Sequence, residues 1–130
     1  MRWTFRSYVD RDGTDVIKEW FDGATKQARG GFRSKLRILG SLPKGEWRRP
    51  LFDTLSGDCK GLWEVRFDAA GVPWRPLGFF DGTAVFILVI CATKDGDRWK
   101  PGKACEIGLT RKADILANPA RCHDLPINLE

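Results

Sequence analysis

The chain has 130 residues, 42% hydrophobic and 30% charged, which allows one modest core and is too apolar for disorder. No apolar run reaches the roughly 18 residues that a membrane-spanning helix needs; the longest, residues 84–92, is of strand length. The net charge of +5 is uneven: residues 24–50 hold Lys26, Arg29, Arg33, Lys35, Arg37, Lys44, Arg48 and Arg49 against Glu46 alone, which points to a polyanion or an acidic partner.

Residues 1–9 alternate, Trp3, Phe5, Ser7 and Val9 against Arg2, Thr4, Arg6 and Tyr8, and predict a half-buried strand. A turn at "DRDGTD" leads to Thr14 or Asp15 as cap of a short helix carrying Val16, Ile17, Trp20 and Phe21, with Gly23 as its stop. A second helix is predicted over residues 24–42. Ala24, Ala28, Phe32, Leu36, Leu39 and Leu42 share one side, and Lys26, Arg29, Arg33 and Arg37 lie opposite. Gly30-Gly31 weakens this helix by about 1 kcal/mol per glycine, so it must rely on packing. Its basic stripe is either a solvated face or a surface for phosphates or an acidic partner segment.

Three strands are predicted next, about 62–67, 74–80 and 83–92, joined by a four-residue loop at 68–71 and a two-residue turn at Asp81-Gly82. The third is apolar on both faces and so interior, while Pro73 and Pro76 make the second irregular or edge-like. Residues 103–117 form a possible last helix with Ala104, Ile107, Ala113 and Leu116 inward, and residues 118–130 an extended tail. The expected fold is one α+β domain over 1–130: an antiparallel sheet in β-α-α-β-β-β order, with the helical pair on one face.

Four cysteines, Cys59, Cys91, Cys105 and Cys122, show no C-x-x-C spacing, and the only histidine, His123, adjoins Cys122. With no apolar signal core at the N-terminus, the expectation is a cytoplasmic protein with reduced thiols, no metal and no cofactor.

The stretch "KGLWEVRFDAAGVPWR", residues 60–75, carries the chemistry. A four-residue loop sets Glu64 opposite Arg75 with Arg66 diagonal, all on the open side of the sheet, while Trp63, Val65 and Phe67 face the core. The Asp81-Gly82 turn then sets Arg75 opposite Leu88. Read alone, these groups are an exposed ion pair worth about 0–1 kcal/mol.

"GLWEVRF…VPWRPLGFF", followed by "ATK…KPGKACEI", resembles the RelE/ParE superfamily of bacterial toxins in its HigB-like, phage-related branch, over roughly residues 3–115. The resemblance implies a RelE-like fold and a toxin held inactive by a cognate antitoxin. It also implies a metal-independent, ribosome-dependent endoribonuclease (an mRNA interferase) that blocks translation, with ribosome and mRNA as partners. Carried over by position, Arg66 and Arg75 would stabilise the scissile phosphate, Lys94 would neutralise phosphate or activate the attacking oxygen, and Glu64 would orient an arginine or act as base. Lys26, Arg29, Arg33, Arg37 and Lys60 would contact RNA backbone. The chain departs from the family in having one lysine in "CATKDG", Pro76 after Arg75, and only His123 and Tyr8 as further proton carriers. Two other readings stay open: a gyrase-inhibiting toxin of the same fold, and a non-catalytic module that binds nucleic acid or an antitoxin-like partner.

Overall fold

The computed structural model describes residues 1–130. Strand β1 (Thr4–Tyr8) leads through a turn to helices α1 (Val16–Gly23) and α2 (Lys26–Gly40). Asp15 caps α1 by accepting from the Ile17 and Lys18 amides, and Thr25 caps α2 by accepting from Ala28. Then come β2 (Phe52–Thr54), β3 (Trp63–Val65), β4 (Phe67–Ala69), β5 (Val72–Phe80), β6 (Val85–Asp95), β7 (Arg98–Lys100), helix α3 (Ala104–Ala117) and β8 (Cys122–Asp124).

The architecture is α+β, and the sheet order is β2-β3-β5-β6-β1-β8, with β4 continuing the line of β3 along β5 and β7 folded back on β6. The sheet is mixed, not antiparallel. Strand β1 runs parallel to β6, pairing Thr4–Ser7 with Val85–Leu88. The tail is not free: β8 pairs with β1 as an edge strand, and Ile127 packs into the core. Burial alternates along β1 as expected, Trp3, Phe5 and Ser7 buried and Thr4 exposed; Tyr8 is the exception, buried on the opposite face from Phe5.

Three layers result. On one side α1 and α2 bury Ile17, Phe21, Phe32, Leu36 and Leu39 against Phe5, Val65, Phe67, Phe86 and Leu88. Each such side chain is worth about 1.5–3 kcal/mol. Gly31 of α2 sits against Phe67, whose ring is 2.7 Å from where a Cβ would stand, so the glycine pair predicted to weaken α2 also lets it approach the sheet. On the other side α3 covers Leu62, Leu77, Ile87, Val89 and Ile90. It presents Ala104, Cys105, Gly108 and Ile115 inward, while Leu116 is 67% exposed and Ala113 also faces out, contrary to the expected inner set.

Both hairpin registers differ from those expected. Ala69 pairs with Val72, so the turn is Ala70-Gly71 with positive φ at both residues (51° and 79°), the geometry of a tight two-residue hairpin. Two residues shorter than expected, it moves each partner by two and leaves every side chain on its predicted face. Conversely, Asp81-Gly82 opens a longer loop, with β6 starting at Val85. Strand β5 is interior rather than edge-like. Its Pro76 lies where the β3–β4 ladder breaks between Glu64 and Phe67.

Candidate functional site

A β-bulge sets the geometry. Gly78 pairs with Leu88 and Leu77 with Ile90, which leaves Val89 as an extra residue on β6. Ile87, Val89 and Ile90 therefore all pack on the α3 side, and beyond the bulge the even-numbered Ala92 follows them there. Without that extra residue, Lys94 would turn toward α1 and α2. With it, Lys94 lines the same cleft as Glu64 and Arg66.

The cleft, about 980 Å³, opens between the ends of β2, β3 and β6, the loop at residues 55–59 and the start of α3. Glu64 reaches it from β3 but is only 2% exposed. Its Oε2 accepts from Nη1 of Arg66 and lies 3.8 Å from Nε of Arg75. Arg66, whose side chain is 22% exposed, is the part of this cluster that meets solvent. Its amide donates to the Leu51 carbonyl at 2.9 Å, fixing the backbone at the break in the ladder.

Arg75 does not stand on an open face. It is 9% exposed and donates through Nη1 to the carbonyls of Trp74 (2.7 Å) and Phe67 (3.3 Å) and to Asp68 (3.4 Å). In the observed register it pairs with Ala92, not Leu88, and Glu64 pairs with Leu77, not Arg75. Helix α3 is what closes the side read as open. Arg75 thus braces Glu64 from behind and does not line the cleft.

Lys94 stands over the Trp99 ring, its Nζ 4.9 Å from the centroid, across the β6–β7 pair. Around these groups the cleft is mixed in sign: Arg49, Arg66, Lys94 and Lys103 face Asp53, Asp58, Glu64, Asp97 and Glu106. Arg49 is held by Asp53 at 2.8 Å, and the bonded carboxylate raises its pKa.

The structure joins Cys59 to Cys105 as a disulfide, Cα atoms 4.8 Å apart, against the expectation of four reduced thiols. The fold brings the turn at residues 57–59 against the first turn of α3, a proximity that a separation of 46 residues does not announce. Both cysteines line the cleft wall. Cys91 and Cys122 are free, and burial pushes the Cys91 thiol well up.

The basic residues of α2 are not part of this cleft. Lys26, Arg33 and Arg37 are exposed and Arg29 is half-buried, on the helix that covers the opposite face of the sheet. None of them pairs with a carboxylate; Arg33 stacks on Phe21 and Arg37 donates to the Leu129 carbonyl at 3.0 Å. Lys60 is exposed beyond the cysteine-bearing turn and does not line the cleft. Of the other proton carriers, Tyr8 is buried against Asp114, and His123 lies on β8 with Nε2 2.6 Å from Asp15, which also accepts from Ser7. Neither reaches the cleft.

Sequence reasoning missed the bulge, Trp99, the Arg49–Asp53 pair and the disulfide. Gly78 in the middle of a strand was the one local signal available for the bulge. No helix is long and apolar enough to cross a membrane. No curated protein and no solved structure matches the chain significantly. Residues 19–112, which hold the second half of α1, all of α2, the Glu64–Arg66–Arg75 cluster, Lys94 and most of α3, match the family described as Phage derived protein Gp49-like (DUF891). The chain therefore belongs to the phage-derived Gp49-like family, a family of toxin-like proteins.

Proposed function

We propose that the chain is the toxin of a toxin–antitoxin pair of the RelE type, and that its cleft cuts mRNA on the ribosome without a metal. The observation that carries this is the convergence of Arg66 and Lys94 in one cleft on a rigid sheet, with Arg66 aimed by a buried carboxylate. Transesterification of RNA moves the 2′-hydroxyl proton away as that oxygen attacks the adjacent phosphorus, and returns a proton to the departing 5′-oxygen. Negative charge grows on the phosphoryl oxygens between these events. A guanidinium that is permanently charged and already oriented meets that charge without reorganising. Glu64, held by two arginines, serves as a positioning residue for Arg66 rather than as a base, and Arg75 holds Glu64. Lys94 neutralises phosphate or assists the attacking oxygen. The start of α3, which no side chain caps, adds first-turn amides favourable to an anion at the same wall. Lys26, Arg29, Arg33, Arg37 and Lys60 would hold RNA backbone away from the cleft, a contact weakened by salt. The family's toxin-like character supports a cognate antitoxin as the second partner.

The test is expression in bacteria without a partner, parent beside Arg66→Ala and Lys94→Ala, with mRNA 5′ ends mapped. Cuts inside translated codons that disappear in both variants are expected. Growth arrest with intact mRNA would overturn the nuclease assignment. A second reading, a module that binds without cutting, is favoured by one observation: five carboxylates face four cations in the cleft. It predicts RNA retention without new ends.

A further inference from the structure

A second cavity, about 460 Å³, lies across β2 from the cleft and shares Arg49, Asp53 and Thr54 with it. Its floor is aromatic. Trp63 of β3 pairs with Gly78 across the strands and meets Phe80 edge to face, centroids 5.2 Å apart with planes at 72°. Trp47 closes the back, fixed by its indole N–H donating to the Leu39 carbonyl at 2.9 Å. Trp63 and Phe80 are only half-buried, so a corner of two rings faces the cavity. The rim is basic and exposed: Lys44 stands over Phe80 at 4.5 Å, and Arg48 and Arg49, with side chains 71% and 65% exposed, are paired at the surface with Glu46 at 3.3 Å and Asp53 at 2.8 Å, Asp53 being the one carboxylate of the wall.

We infer that this cavity is a subsite for one unpaired base of single-stranded RNA, stacked on Trp63, with flanking phosphates on Lys44, Arg48 and Arg49. An aromatic surface alone would suit many apolar groups. An aromatic corner ringed by three cations suits a flat ring carried on an anionic chain, which is the composition of a single-stranded nucleic acid site. A duplex cannot present a face of a base to it. The shared wall makes the path continuous: a strand leaving Arg66 and Lys94 crosses Arg49 and reaches the aromatic corner. The inference deepens the reading of the cleft and takes from it only the choice of RNA as the polymer.

The test is fluorescence anisotropy of a labelled short single-stranded RNA with the purified protein, parent beside Lys44→Ala, Arg48→Ala and Trp63→Leu, at several salt concentrations. Trp63→Leu should weaken binding about tenfold, and should change nothing for an RNA whose bases are replaced by abasic sites. Lys44→Ala and Arg48→Ala should each weaken it several-fold and lower the salt slope by about one. These two exposed residues keep the test decisive if Trp63→Leu does not fold. Unchanged affinity in both, equal affinity for the duplex, or displacement of RNA by an equally charged glutamate peptide would overturn the inference, the last in favour of an acidic protein segment. Loss of binding in these variants beside a parent that cuts no mRNA in cells would leave the subsite standing and remove the nuclease. Cutting that pocket variants do not alter would do the reverse.

Discussion

Gly78 lies against the main-chain carbonyl of Ile87, and a methyl group built on Gly78 would press on that oxygen and stand 2.6 Å from the Phe86 ring. This contact occurs where β6 carries its extra residue, the feature that turns Lys94 toward Glu64 and Arg66. Gly78→Ala must move backbone, not only side chains, and is expected to cost about 1–3 kcal/mol or more. Urea unfolding gives the stability change. On the proposed function, cleavage per folded molecule should also fall, because Lys94 leaves its place. A variant as stable and as active as the parent would show that the bulge does not depend on this glycine.

Glu64 and its two arginines form the buried ion cluster of the fold, and burial decides their worth. Removing Glu64 leaves Arg75 buried with only the exposed Asp68 as counter-charge, a loss of about 3–5 kcal/mol for Glu64→Ala. The Arg6–Asp124 pair, whose aspartate side chain is 77% exposed, sets the opposite limit: Asp124→Ala is expected to change stability by less than about 1 kcal/mol. Chemical denaturation of both variants checks the contrast. Equal effects would mean that Glu64 is solvated in solution.

The outcome of the sequence reading follows from what each signal encodes. Face assignment was legible because side-chain alternation survives a register error of two. Trp63, Val65 and Phe67 meet the helical pair as read, although the Ala70-Gly71 turn is two residues shorter than expected. Helix α2 was legible from Ala28, Phe32, Leu36 and Leu39, all fully buried. What local pattern could not reveal was long-range pairing: the parallel partnership of β1 with β6, β8 recruited from the tail, and α3 packed on the face of the sheet read as open. That last fact turned a supposed surface pair into a buried cluster and moved Arg75 from the reacting surface to a supporting position. The candidate residues Glu64, Arg66 and Lys94 do converge, but through a bulge that only Gly78 hints at.

The disulfide makes a countable prediction. In denaturant without reductant, two thiols, Cys91 and Cys122, should react with a thiol reagent, and four after reduction. In the folded protein Cys91 should react slowly, because burial holds its thiol protonated. Closing a loop between Cys59 and Cys105 stabilises by about 2–4 kcal/mol in the chain-entropy account, so Cys59→Ser should lower the melting temperature and lose its sensitivity to reductant. Four reactive thiols at the outset would overturn the pairing.

Tyr8 is the only tyrosine, so the near-ultraviolet absorbance of phenolate reports a single group. Burial raises its pKa above the ordinary 10.0, with a smaller upward push from its 2.7 Å hydrogen bond to Asp114 and an opposing one from Arg111 and Arg121. The folded value lies above the unfolded one, so this group's contribution to stability is complete below pH 10.0 and declines as pH rises through the folded value. Spectroscopic titration should find native Tyr8 ionising above its value in urea. Asp114→Asn should close only part of the gap, because burial is the larger cause. Tyr8→Phe should flatten the alkaline fall of stability without moving the acid side. Coincident titration of native and unfolded protein would show that water reaches the phenol, and that α3 does not seal this end of β1.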